Sequence, residues 1–200
     1  MWLLTDQLPT TVSINGSPFE VETDFRLFVS FGRAYFLEQW HVKEAYQTMY
    51  QFYKGRIPAD VKSAYEAFID FYTQGNFKPI DANGNVNYPS GGNNNVTSYA
   101  FDLDDRRIYA AFRQEYGIDL TRDNLHWFVF SSLLEALCTP SFGDIVSYRL
   151  MDLSKADKET RKRLAKLQRG YAIDHPGQDH KKVDWDTWAA GIKAKLEGGG

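Results

Sequence analysis

The sequence predicts a mainly α-helical domain with a small N-terminal β-hairpin, a mobile Asn/Gly-rich loop and a helical C-terminal extension. Three observations carry that expectation. Apolar residues recur at three- and four-residue spacing through most of the chain. One Asn-Gly pair stands between two short alternating runs near the front. Residues 75–100 lose all periodicity in a stretch of Gly, Asn, Pro and Ser. Two hundred residues suffice for a proper core, and an aromatic share of 16% lets a few short helices bury much ring surface.

In "TVSINGSPFEVET", Asn15 and Gly16 both tolerate positive φ, which a two-residue hairpin turn requires. Val12 and Ile14 on one arm, with Phe19 and Val21 on the other, alternate as a half-buried strand pair should, so the hairpin is placed within 10–23. "DFRLFVSFGRAYFLEQW" starts a helix with Asp24 as N-cap and Phe28, Phe31 and Tyr35 on one face. Val42, Ala45, Tyr46, Met49 and Tyr53 mark a second helix that Gly55 can stop. Val61, Ala64, Tyr65, Phe68 and Tyr72 repeat the spacing between Pro58 and Gly75, giving an antiparallel pair.

The segment 75–100 cannot bury enough apolar surface to offset its ordering entropy, and reads as a mobile loop. Beyond it, Ile108, Phe112 and Tyr116 share a helix face that ends at Gly117. Leu125 to Leu137 is apolar nearly all round, as in a central buried helix. Ser141 and Asp144 suggest a capping box after Pro140, and Ser154 and Asp157 another before "KADKETRKRLAKLQRGYAI". In that helix Leu164, Leu167 and Tyr171 should face inward, with Asp157/Arg161 and Glu159/Arg163 as supporting pairs. Residues 174–200 form a polar extension whose stripe of Trp185, Trp188, Ile192 and Leu196 suits a helix that docks on the core or waits for a partner's groove. Residues 1–173 are then one helical domain.

Several chemistries are not expected. One cysteine excludes an internal disulfide and a cysteine-built zinc site. No P-loop, GxGxxG or GxSxG occurs. Of the four histidines, His126 lies in the apolar "LHWFVFSSLLEAL" run with no serine or carboxylate at catalytic spacing; a hydrogen-bonded core histidine is the expectation. Asp174, His175, Asp179 and His180 match no standard metal site. No catalytic residue, metal or cofactor is therefore expected. No stretch approaches the roughly 20 apolar residues of a membrane span, and the apolar start "MWLL" is too short for a signal peptide, so a cytoplasmic protein without membrane contact is expected. The net charge of −3 argues against nucleic acid for the chain as a whole. From residue 154 on, however, 11 Lys and Arg stand against 7 Asp and Glu. The acids within that run and its inward leucines favour a solvated face, or an acidic partner surface, over RNA or DNA.

The front "LPTTVSINGSPFEVETDFR" and, more closely, "FDLDDRRIYAAFRQEYGIDL", "LHWFVFSSLLEAL", "FGDIVSYRLMDLS" and the charged helix ending "GYAI" resemble the bacteriophage gene-product-fifteen family of siphophages and prophages of Gram-positive bacteria. The resemblance spans roughly residues 1–173, with a loop longer and richer in Asn than usual. It implies a tail-morphogenesis protein similar to tail assembly chaperones, with no catalytic residues. The implied partners are the tape-measure protein, the tail-tube protein and copies of itself. The implied place is the host cell cytoplasm, with the mature virion free of it. A minor tail or connector component is the alternative, and a small nucleic-acid-binding module a more remote one. Trp127, Tyr148 and Arg149 are candidate partner contacts in one area, Trp185 and Trp188 in another.

Overall fold

The computed structural model describes residues 5–36, 42–75, 99–173 and 185–198. In chain order the elements are β1 (Thr11–Ile14), β2 (Ser17–Glu20), α1 (Phe25–Phe36), α2 (Val42–Phe52), α3 (Val61–Tyr72), α4 (Asp105–Tyr116), α5 (Trp127–Ala136), α6 (Pro140–Leu150), α7 (Lys158–Tyr171) and α8 (Trp185–Glu197). The protein is mainly α. Nearly all of the loop expected at 75–100 lies outside the described residues, as do Asp174, His175, Asp179 and His180.

Two compact units divide the chain. The first takes residues 1–89, 125–130 and 176–200; the second takes 90–124 and 131–175. The chain passes from one to the other within α5.

In the first unit the Asn-Gly signal holds. Asn15 and Gly16 have φ of 49° and 80°, and β1 pairs antiparallel with β2 in the register Val12↔Phe19 and Ile14↔Ser17. Ile14 and Val21 are buried, and Phe19 meets the Tyr53 ring edge-on at 6.3 Å. The turn is anchored by Asn15 Nδ2, which donates to Asp60 Oδ2 at 3.1 Å. Asp60 also caps α3 by accepting from the Ser63 N–H. Asp24 caps α1: its Oδ1 accepts from the Arg26 N–H at 2.9 Å. The helix pair α2–α3 is joined through Gly55, whose φ of 85° is left-handed and whose N–H donates to the Tyr50 carbonyl at 2.7 Å.

Rings fill this core. Phe28, Phe31, Phe52 and Phe68 are fully buried and meet in stacked and edge-on pairs at 4.9–6.1 Å. Within this unit α8 packs on α2 and α3; of the C-terminal stripe, Ile192 is fully buried and Leu196 half-buried, and Lys195 lies over the Tyr46 ring at 5.9 Å.

In the second unit α4 packs on α6 and α6 on α7. Gly117, at φ 71°, ends α4 in the left-handed conformation. Ile108, Phe112, Leu134, Leu137, Phe142 and Ile145 are buried. Two expected caps are corrected. Pro140 is the first residue of α6 and Thr139 its N-cap, so Ser141 and Asp144 already lie inside the helix and make no capping box. Asp157, not Ser154, caps α7, accepting from the Glu159 and Thr160 N–H groups. The Asp157/Arg161 pair is also replaced: Arg161 donates instead to the carbonyls of Leu153, Ser154 and Ala156, closing the α6–α7 turn.

Candidate partner-binding surfaces

His126 sits where the chain returns to the first unit. The Phe25 N–H donates to the Leu125 carbonyl at 3.1 Å and the Trp127 N–H to the Thr23 carbonyl at 2.7 Å, making a short antiparallel bridge between Asp24 and His126. Both imidazole nitrogens are engaged by backbone. Nδ1 accepts from the Phe128 N–H at 3.1 Å, which leaves Nε2 to carry the hydrogen and donate to the Pro9 carbonyl at 2.9 Å. Burial pushes the ring's pKa below its ordinary value, opposed only in part by the Pro9 bond. The residue is a neutral clasp between the chain's front and α5, as a hydrogen-bonded core histidine should be.

Trp127, the next residue, is buried. Its indole N–H donates to the Tyr72 carbonyl at 2.8 Å, at the end of α3, and its ring stacks on Tyr72 at 5.2 Å and Phe28 at 5.1 Å. It is the hub of the aromatic core, and no face of it is free for a partner.

Arg149 is likewise internal, at 5% exposure. Its Nη1 and Nη2 donate to Asp104 Oδ2 and Oδ1 at 2.6 and 3.0 Å, and its Nε donates to the Tyr171 carbonyl at 2.7 Å. Asp104 is fully buried and also accepts from the Ala100 N–H and from Arg107. Burial alone would raise the Asp104 carboxyl pKa. The Arg149 hydrogen bonds, the Ala100 bond and the two guanidinium charges outweigh that and hold it below the usual range. This bidentate pair joins the start of α4 to the end of α6 and the end of α7. The sequence reading as a partner contact missed it, although a signal was present. Phe142, Ile145 and Arg149 lie at i, i+3 and i+7, so the period that buries the first two also buries the arginine.

Among the nominated residues whose side chains are described, Tyr148 keeps part of its surface. Its ring stacks on Tyr171 at 5.9 Å and 10°. Tyr171 in turn borders an open hollow of about 610 Å³ on α7, lined with Arg163, Lys166, Leu167 and Gly170. Leu164 and Leu167, expected to face inward, are only half-buried, and α7 has no fully buried residue. Trp185 and Trp188 stand in the first turn of α8, but their side chains lie outside the described residues. Cys138 is exposed and follows the end of α5; its Sγ lies 3.2 Å from the Ala136 carbonyl. No described helix is long and apolar enough to cross a membrane.

The arrangement offers binding surface on α7 and two cores held by hydrogen-bonded polar residues. No curated protein and no solved structure matches the chain. The family described as Bacteriophage Gp15 protein does match, over residues 4–173, which takes in the hairpin, α1–α7, the His126 clasp and the Asp104–Arg149 pair. The chain therefore belongs to the Bacteriophage Gp15 protein family.

Proposed function

We propose that this phage protein acts in tail morphogenesis as an assembly chaperone, binding the tape-measure protein and tail-tube subunits in the host cytoplasm and leaving before the virion is complete. The observation that carries the reading is the family match across residues 4–173. At its coarsest, that match supports a structural or head–tail-related phage protein. The finer role rests on the resemblance of the quoted segments to tail assembly chaperones.

The physical features agree with a protein that works by covering other polypeptides, without catalysis or a cofactor. His126 has both nitrogens bound to backbone, so it has no free lone pair for a substrate proton. The Asp104 carboxylate is engaged by two arginines and an N–H. Among the described residues α7 is accessible, with its cations and half-buried leucines, as are Tyr50, Leu103, Tyr109 and Leu150, and such surface suits a protein partner.

A minor tail or connector component is the second reading, since the family match supports it at the coarse level equally. Quantitative mass spectrometry of infected cells and of purified particles separates the two. A chaperone is abundant in the cells and missing from the particles; stoichiometric copies in the particles would assign the chain to the virion instead.

A further inference from the structure

The elements of the first unit are held in two different ways. The hairpin turn is tied to α3 by the Asn15–Asp60 bond, and the chain after β2 to α2 by the Glu22 N–H on the Phe52 carbonyl at 2.7 Å. The start of α5 is tied to α1 by the Phe25 N–H on the Leu125 carbonyl and to the end of α3 by the Trp127 indole. Among the described residues, α8 has no such tie. Its ion pair, Lys193–Glu197, and its hydrogen bonds stay within the helix. What holds it on α2 and α3 is apolar contact at Ile192 and Leu196, with Lys195 over the Tyr46 ring. Ala190, Lys193, Ala194 and Glu197 are exposed, and Gly191 inside the helix weakens it relative to alanine.

The surface beneath α8 is older to the fold than its cover is to the match: residues 4–173 take in α2 and α3 and end before α8. That surface also extends past α8. Tyr46 stacks on Tyr50 at 5.9 Å, and Tyr50 is 48% exposed. Together α2 and α3 offer an apolar groove with an aromatic rim that asks no hydrogen bond of its occupant. Helix-in-groove recognition works in this way, through a few anchors on one helix face.

We propose that α8 is a removable cover over a helix-binding groove of α2 and α3, and that an amphipathic helix of a partner protein takes its place. The seated helix specifies the occupant. It carries large aliphatic residues four apart, as Ile192 and Leu196, and a cation just before the second, as Lys195, to lie over Tyr46. While α8 is seated the groove is closed to weak competitors, because a helix on the same chain competes at an effective concentration on the order of mM. This role for the groove rests on the reading that the chain works by covering other polypeptides. Its test needs no tape-measure protein, so the two can fail separately.

The test uses the full chain, with a fluorescent peptide of residues 184–198 as the probe. In hydrogen exchange of the wild type, α8 amides are expected to exchange at least about 100-fold faster than those of α3, through a local opening. Ile192→Asp/Leu196→Asp releases α8. This variant keeps its cooperative melt and binds the peptide at least roughly 100-fold more tightly than the wild type, whose own α8 competes. The same two changes in the peptide abolish binding, and Lys195→Glu in the peptide weakens it roughly two- to fivefold. Wild-type α8 amides that exchange only with global unfolding, or a variant that loses its cooperative melt, would make α8 a wall of the core and overturn the proposal. So would a folded variant that binds no peptide, or a wild type that binds it as tightly as the variant. Exchange of α8 between copies, seen as a dimer in sedimentation velocity, would give the groove to a second copy and overturn the partner helix.

Discussion

The two compact units are held by different physics. The first is an aromatic core: Phe28 touches Phe52, Phe68, Phe71, Tyr72 and Trp127, and the polar atoms inside it are closed off by backbone. The second centres on a charge pair, Asp104–Arg149, around which the ends of three helices meet. Rings give much buried area with little directional demand. A buried ion pair gives little net stability but is costly to break, because the survivor is left charged and unpaired. The first unit should therefore tolerate small losses gradually, and the second should fail sharply at one point.

Breaking the pair is the largest expected effect. Arg149→Ala should cost about 3–5 kcal/mol, by leaving Asp104 without its main partner and the Tyr171 carbonyl without its donor. Hydrogen exchange should localise the loss to residues 99–124 and 131–173. Replacing both partners, as Asp104→Leu/Arg149→Met, should recover much of it; a double variant as unstable as the single would show that the loss does not come from an unpaired charge. Next comes the aromatic hub. Trp127→Ala should cost about 3–5 kcal/mol, whereas Trp127→Phe keeps the stacking and loses the indole bond to Tyr72, for about 1–3 kcal/mol.

Acid separates the units further. His126 has a folded pKa below the ordinary value of about 6.5. As pH falls beneath that value, the unfolded chain takes up the proton first, so stability declines until pH passes below the folded pKa and then levels off. His126→Gln should flatten this slope in urea titrations taken from pH 7 to 5, while retaining a donor for the Pro9 carbonyl. Asp104 has the opposite window. Its depressed pKa contributes stability that is complete above the usual carboxylate range and lost as pH falls through the folded value. The first unit should thus soften at mildly acidic pH and the second only at strongly acidic pH. The smallest effect is a helix end: Asp157→Ala should cost about 1 kcal/mol by uncapping α7, without touching either core.

What could be read from the sequence follows the range of each interaction. The Asn15-Gly16 turn, the Asp24 cap and the Gly117 stop are written within four residues of themselves, and the structure has all three. The inward faces of α1–α4 follow from spacing alone. Arg149 pairs with a carboxylate 45 residues away, which no local pattern specifies, although the period of α6 marks it as internal. The docking of α8 on α2 and α3 was open for the same reason: a one-sided stripe shows that something covers it, not what. The clasp of His126 on the Pro9 carbonyl spans 117 residues. The expected pairing of Asp157 with Arg161 failed because the loop carbonyls before α7 compete for the same guanidinium.

The proposed role is to cover a long helical protein during tail assembly. Co-expression of the tape-measure protein with and without it tests that claim most directly, with the soluble fraction of the tape-measure protein as the readout. The expected result is that the tape-measure protein becomes soluble and co-elutes with the chain. Equal aggregation in both cases, with the chain eluting alone, would contradict it.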